Sequence, residues 1–305
     1  MTPRGSGMRA LAAVAIALSS CAEAVRTADS RAAEVYRRHE GRDGAFRRLA
    51  TPRPGEWLYE FDEPGQTLEE YRAANPASAP VRTIRLRPFG SWPRAADPVL
   101  AAVSEHLEAF WGLRAGRAAA LDAPPAWRRK SRPEQWDAAR VLKGFPIESG
   151  SSEVAVLGAT ADDLGAGDLS FVFGLASAAG RAGVFSIARF GTPGLGPAED
   201  PRLLRRALAV SSHETGHVLG LAHCVFYACA MNGSNTLEEA DARPLPLCPE
   251  CASKAAASAL FLPAARLERL QAFYARVGLA AEAAAVRRIR EARPAGIPKA
   301  GPSGP

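Results

Sequence analysis

The sequence lacks any apolar run that could span a bilayer as a helix. The run at its N-terminus, Leu11 to Leu18, stops after eight residues, against the roughly 20 a helix needs. No basic stripe interleaved with aromatics is present. Aromatics make up 7% of the chain, and the net charge of +6 comes from both signs spread along it. That pattern excludes a nucleic-acid binder and leaves a solvated, slightly basic surface. No internal repeat occurs. Cysteine is scarce and odd in number, five in 305 residues, which argues against a simple disulfide framework. No cysteine precedes the main body except Cys21, so a cysteine-switch propeptide is not expected. The length allows one large domain or two small ones with a real core.

Residues 1–20 read as a secretory signal: Arg4 and Arg9 before the apolar run, then Ser19, Ser20 and Cys21. Leu18-Ser19-Ser20-Cys21 resembles the lipobox of bacterial lipoproteins, whose cysteine becomes the lipidated first residue. An ordinary cleaved signal, or a frayed Ala-rich N-terminus, is the alternative. With Ala22 after the cysteine, the resemblance implies an exported protein anchored to an outer membrane and facing the periplasm; a cytoplasmic protein is the alternative.

Residues 21–50, rich in Ala, Arg and Glu, suit a helical or flexible spacer. Residues 51–262 are expected to form the catalytic domain, opening with an irregular, turn-rich lead-in over 51–80. Ile84 and Leu86 alternate with Arg85 and Arg87, which predicts a strand closed by Pro88. Asp97-Pro98 starts a helix whose apolar stripe runs to Trp111, with Gly112 beyond it. His106 lies beside that stripe and reads as a surface or boundary histidine. Pro133 to Lys143 reads as a further helix. Val154–Leu157, Leu169–Phe173 and Val184–Phe190 read as strands. Asp200-Pro201 starts another helix. Residues 263–293 read as C-terminal helices broken near Gly278, and 294–305 as a disordered Pro/Gly tail.

From 213 the sequence runs His-Glu-Thr-Gly-His-Val-Leu-Gly-Leu-Ala-His. Four residues apart on a helix, His213 and His217 project from one face, one turn apart, and can share a metal ion. Glu214 can reach a metal-bound water without ligating the metal. Gly220 lets the chain leave the helix through a positive φ, so that His223 swings back as a third ligand. Three protein ligands leave one position open, the catalytic arrangement of zinc. Thr215, Val218 and Leu219 read as packing residues.

The other four cysteines, Cys224, Cys229, Cys248 and Cys251, fall within 28 residues. Two thiolate pairs at this spacing suit a closed, four-sulfur structural zinc site. One or two disulfides are the alternative in an oxidising compartment.

His213 to Cys224, Cys229-Ala230-Met231 and Cys248-Pro249-Glu250-Cys251 together resemble the signature of the archaemetzincins, a family of metzincin zinc proteases. Met231-Asn232-Gly233-Ser234-Asn235, Leu237 to Asp241, and Arg243-Pro244 are also similar. Upstream, Pro54 to Leu58, Pro64 to Thr67, Asp163-Leu164 and Phe171 to Gly174 resemble the animal members. The resemblance implies an α+β, metzincin-like fold: a twisted, mixed, mostly parallel sheet with an edge strand, two long helices, and the active site below that edge. It implies two zinc ions, one catalytic on the histidines and one structural on the cysteines, with Met231 in a Met-turn beneath the former. The leader and the C-terminal helices depart from the family pattern.

The expected activity is hydrolysis of peptide bonds by a zinc-activated water, with Glu214 as general base and then acid. The partner is a peptide or protein, laid along the edge strand; Val184–Phe190 is the candidate edge, with Phe185 and Arg189 as possible cleft residues. Tyr227 is a candidate oxyanion stabiliser. Two rivals stand beside this reading: a zinc-binding, lipid-anchored interaction protein that does not cleave, and a zinc hydrolase of a non-peptide amide.

Overall fold

Ile84 and Leu86 are buried while Arg85 between them is exposed, and this alternation builds a strand with one face on the core. In the computed structural model, which describes residues 21–40, 44–75, 82–145, 154–192, 194–257 and 263–292, the strand is β1 (Thr83–Pro88). Ahead of it come α1 (Cys21–Arg38), α2 (Trp57–Glu60) and α3 (Leu68–Ala74); after it come α4 (Asp97–Trp111) and β2 (Arg114–Arg117). Then follow β3 (Trp136–Asp137), α5 (Ala138–Gly144), β4 (Val154–Thr160), β5 (Leu164–Gly165), β6 (Gly174–Ser177) and β7 (Ala182–Ser186). The chain continues through α6 (Pro201–Val218), α7 (Leu237–Ala242), α8 (Pro249–Ala257), α9 (Pro263–Arg276) and α10 (Ala280–Glu291).

Five strands form one sheet in the order β2-β1-β4-β7-β6. All neighbours are parallel except β6, which runs antiparallel to β7 with Gly174 opposite Phe185 and Ser177 opposite Ala182. The mixed, mostly parallel sheet matches the expected architecture. Val184 and Phe185 point to opposite faces, and each face has its own apolar cluster. The larger cluster joins the sheet to α4 and α6; the smaller sits around Trp136, Val141 and Phe145 beside α5. The two longest central helices are thus stacked on one face of the sheet.

Several local expectations are corrected. Val184–Phe190 does not supply an edge strand: β7 lies between β4 and β6, and the edges of the five-stranded sheet are β2 and β6. Leu169–Phe173 forms no strand, and side chains take the carbonyls of its first two residues. Arg129 donates to Gly167 and Leu169, while Arg132 and Gln135 donate to Ser170. The helix expected from Pro133 begins only at Ala138. Trp136 and Asp137 pair instead with β5, and the Asp137 side chain caps α5. The lead-in over 51–80 is not wholly irregular, since it contains α2 and α3. The latter has a capping box in which Thr67 and Glu70 satisfy each other's backbone N–H groups.

The two ends of the described chain pack into the body. From α1, Val35 is buried in the main cluster, as are Leu270, Phe273 and Tyr274 of α9 and Val286 of α10. The helix pair α9–α10 breaks where expected, at Gly278 with φ +78°. The expected signal segment 1–20 and the expected tail 294–305 are not covered, since residues 1–20 and 293–305 lie outside the described residues. No described helix is long and apolar enough to cross a membrane.

Candidate active site

Helix α6 starts where Asp200 and Pro201 predict. The Asp200 side chain accepts from the N–H groups of Arg202 and Leu203. Leu203, Ala207, Leu208 and Val210 bury one side of it, and this fixes the rotation of its last turns. His213 and His217 then lie ring to ring, with centroids 4.6 Å apart. Gly220, at φ +85°, turns the chain out of the helix, and His223 returns to within 5.2 Å of His213 and 4.8 Å of His217, centroid to centroid.

The hydrogen bonds of these rings decide which nitrogens are free. His213 Nδ1 faces Ala230 O at 2.9 Å, and His217 Nδ1 faces Leu221 O at 2.7 Å. His223 Nδ1 faces the Glu63 carboxylate at 2.8 and 3.0 Å. Carbonyl and carboxylate oxygens only accept, so each Nδ1 carries the proton and each Nε2 presents a lone pair. The Nε2 atoms of His213 and His217 are 3.0 Å apart. Two lone pairs facing each other at that distance repel unless a cation lies between them. Burial, joined by the neighbouring imidazoles, holds His213 well below the ordinary imidazole range and His217 at about 3. The His213 and His217 rings are therefore neutral, as ligands must be, and together with His223 they could hold a metal ion.

Glu214 is 5% exposed, and burial pushes its carboxyl up to about 8 against the opposing pull of the Arg243 guanidinium. Its room comes from the edge strand. A Cβ on Gly174 would lie 2.4 Å from Glu214 Oε1 and 2.7 Å from Cγ. Gly216 does the same service beneath the helix, where a Cβ would meet Met231 Sδ at 2.4 Å and Trp111 at 3.3 Å. Met231, fully buried, thus lies directly against the turn between the two helical histidines.

The four clustered cysteines are buried and unbridged. Cys224 Sγ and Cys248 Sγ are 3.6 Å apart, far beyond an S–S bond, so no disulfide joins them in this structure. Backbone N–H groups aim at the sulfurs, Cys248 N at Cys229 Sγ and Cys251 N at Cys248 Sγ. The other thiols pull Cys224 down, while burial pushes Cys248 up. Successive ionisation in so small a buried space is costly, and a dication is what such a set needs to become fully ionised. This cluster too could hold a metal.

Tyr227 is buried, with its ring against Tyr36 and Phe46, a packing role on the α1 side. Phe185 is core, and Arg189 is paired to Asp163 and stacked on Phe171. His106 is not at the surface. It is fully buried between Tyr274 and Ser212, because α9 covers that end of α4. The side chain of Cys21 lies outside the described residues. No spacing rule points to Glu63, or to the room that Gly174 and Gly216 leave for Glu214 and Met231.

The fold thus carries two side-chain sets, three histidines and four cysteines, that could each hold a metal ion. The family model described as Peptidase family M54 matches residues 150–256. The chain is 36% identical over 147 residues to archaemetzincin-2 of Homo sapiens, covering 39% of this chain and 41% of that protein. It is 38% identical over 122 residues to the archaemetzincin of Methanocaldococcus jannaschii, covering 39% and 65%. The crystal structure of archaemetzincin from Methanopyrus kandleri superposes with a TM-score of 0.50 at 29% identity, covering 59% of this chain and 96% of that one. Over the stretch that holds both ligand sets, the chain is similar to the archaemetzincins. It spans about two fifths of the length of the animal relatives it matches.

Proposed function

We propose that this chain is a zinc-dependent metallopeptidase that hydrolyses peptide bonds, with a catalytic zinc on His213, His217 and His223 and a structural zinc on Cys224, Cys229, Cys248 and Cys251. The observation that carries it is the convergence of three Nε2 lone pairs, each fixed by an acceptor on the opposite nitrogen, beside a buried carboxylate. A zinc ion held there would supply Lewis acidity toward a peptide carbonyl and lower the pKa of a water to roughly 7. Glu214 takes the proton of the attacking water and returns it to the leaving amine. Its burial raises the proton affinity of the carboxylate, which favours uptake of the water's proton. Met231 is the apolar floor under the helical ligands.

The substrate is a peptide or protein in extended form. Strand β6 is the outermost strand of the sheet beside β7, and its outer backbone groups can pair with such a chain. Gly174 on that strand touches Glu214, so a peptide paired there passes beside the base. The reading also keeps the exported, lipid-anchored form, with lipidation at Cys21, on the strength of Leu18-Ser19-Ser20-Cys21. Labelled palmitate should enter the parent and not Cys21→Ala; no label in the parent removes the anchor.

The test of the enzyme is metal content with digestion of a diverse peptide library. The parent should carry two zinc ions and cut peptides; Glu214→Gln should keep the metal and lose the cutting. A fully loaded parent that cuts nothing would favour a non-catalytic zinc protein or a hydrolase of other amides.

A further inference from the structure

Two of the three histidines are oriented by backbone carbonyls, but the third is oriented by a carboxylate. His223 Nδ1 meets Glu63, 160 residues earlier in the chain, at 2.8 Å. Glu63 lies outside the stretch that matches the family model, residues 150–256. It is not an isolated contact. The loop that returns His223 from the helix is held along its length by residues 63–75. The Tyr71 hydroxyl donates to Leu219 O at 3.0 Å. The Gln66 amide donates to Gly220 O and accepts from Ala222 N, both at 3.2 Å. The Asn75 side chain fills the space where a Cβ on Gly220 would stand. Trp57 presents its ring edge-on to His223 at 5.1 Å between centroids.

The holding segment is itself fixed at points away from the loop. Leu68 N donates to the fully buried Glu250 at 2.7 Å. Trp57 N donates to Glu239, and Asn235 Nδ2 donates to Gly55 O. Residues 53–75 therefore form a strap between the cysteine knuckle and the third histidine.

We propose that Glu63 is a positioning residue for the third metal ligand and that this strap sets the zinc affinity of the histidine site. The proposal rests on the reading of the three histidines as a metal site. The physics is that of an outer carboxylate. It holds the proton on Nδ1, fixes the ring plane, and raises the basicity of Nε2 more than a neutral carbonyl does. Removing such a partner typically costs about 10- to 100-fold in metal affinity.

The test is competition for zinc against a chromophoric chelator, using the full chain and its Glu63→Ala, Glu63→Gln and His217→Ala variants. The zinc ion lost in His217→Ala defines the histidine site. Glu63→Ala should raise the dissociation constant of that ion about 10- to 100-fold, with Glu63→Gln between it and the parent. The remaining ion should be unaffected. Thermal melting separates positioning from mere packing: in the His217→Ala background, adding Glu63→Ala should not shift the midpoint. Unchanged affinity in both Glu63 variants would overturn the proposal, as would an equal melting loss in both backgrounds. A parent with no His217-dependent zinc would instead overturn the metal reading itself, and is recognised before any Glu63 variant is made.

Discussion

Lowering the pH to 5 should cost this protein about 2 kcal/mol through His106. The ring is enclosed by Phe110, Phe273 and Tyr274, with Nε2 2.8 Å from the Tyr274 hydroxyl and Nδ1 3.2 Å from Ser212 Oγ. Burial, with a smaller contribution from the Arg266 guanidinium, lowers its pKa from 6.5 to about 3. The folded state therefore holds His106 neutral where the unfolded chain takes up a proton. Between the two values the unfolded state binds more protons, so stability falls as pH drops below the unfolded value and levels off near the folded one. At pH 5 the two protonation ratios differ by a factor of about 30, which is the 2 kcal/mol stated. Urea unfolding at pH 8 and pH 5 measures it, with His106→Gln as reference. Acidification also releases metal and protonates other groups, but these changes occur in both proteins and cancel in the difference. The parent's stability relative to the variant should fall by about 2 kcal/mol between the two pH values. A relative stability constant to within about 0.5 kcal/mol would refute the buried, neutral histidine.

Gly174→Ala should leave zinc content intact and lower kcat by on the order of 100-fold, because a Cβ 2.4 Å from Glu214 Oε1 must push the carboxylate aside by about 1 Å; unchanged turnover of a cleaved library peptide would separate β6 from the base. Gly216→Ala sets a methyl 2.4 Å from Met231 Sδ and should cost about 1–3 kcal/mol in unfolding free energy by thermal melts, partly recovered by Met231→Ala. Glu250→Ala removes the acceptor shared by Arg38, His39 and Leu68 N. It should cost about 3 kcal/mol and speed hydrogen exchange at the start of α3; wild-type exchange there would mean that Glu250 does not hold the strap.

What could be read from the sequence was what is local. The cap at Asp200, the apolar side of α6, the pair His213 and His217, and the positive φ at Gly220 all follow from spacings within a few turns of one helix. The edge strand could not be read this way. Leu169–Phe173 has the composition of a strand but loses the carbonyls of its first two residues to Arg129 and Arg132, whose positions only tertiary structure supplies. Gly174–Ser177 has weak strand propensity and forms because Gly174 alone makes room for Glu214 beside β7. His106 was legible as lying beside a buried stripe; its burial depends on α9, about 160 residues onward. The Thr67–Glu70 capping box was available in the sequence as a T-x-x-E spacing, hidden by the prolines and glycines around it.

The two ligand sets are not independent, since His223 and Cys224 are consecutive in the chain. Cys224 N donates to Met231 O, and the Asn232 amide donates to Cys224 O and Tyr227 O while accepting from Cys229 N. Arg243 in turn donates to Asn232 O. The loop carrying the cysteines therefore also places Met231 beneath α6 and Ala230 O on His213. The coupling runs mainly one way. His213 and His217 are held by a capped helix whose geometry does not need the cysteines, whereas His223, the Ala230 acceptor and Met231 all belong to the cysteine-bound loop. Loosening that loop withdraws the third ligand and the orienting carbonyl of the first, while emptying the histidine site leaves the four thiols where they are. A Cys248→Ala chain should accordingly bind zinc weakly at both sites, and a His217→Ala chain should keep its cysteine-bound ion at parental affinity.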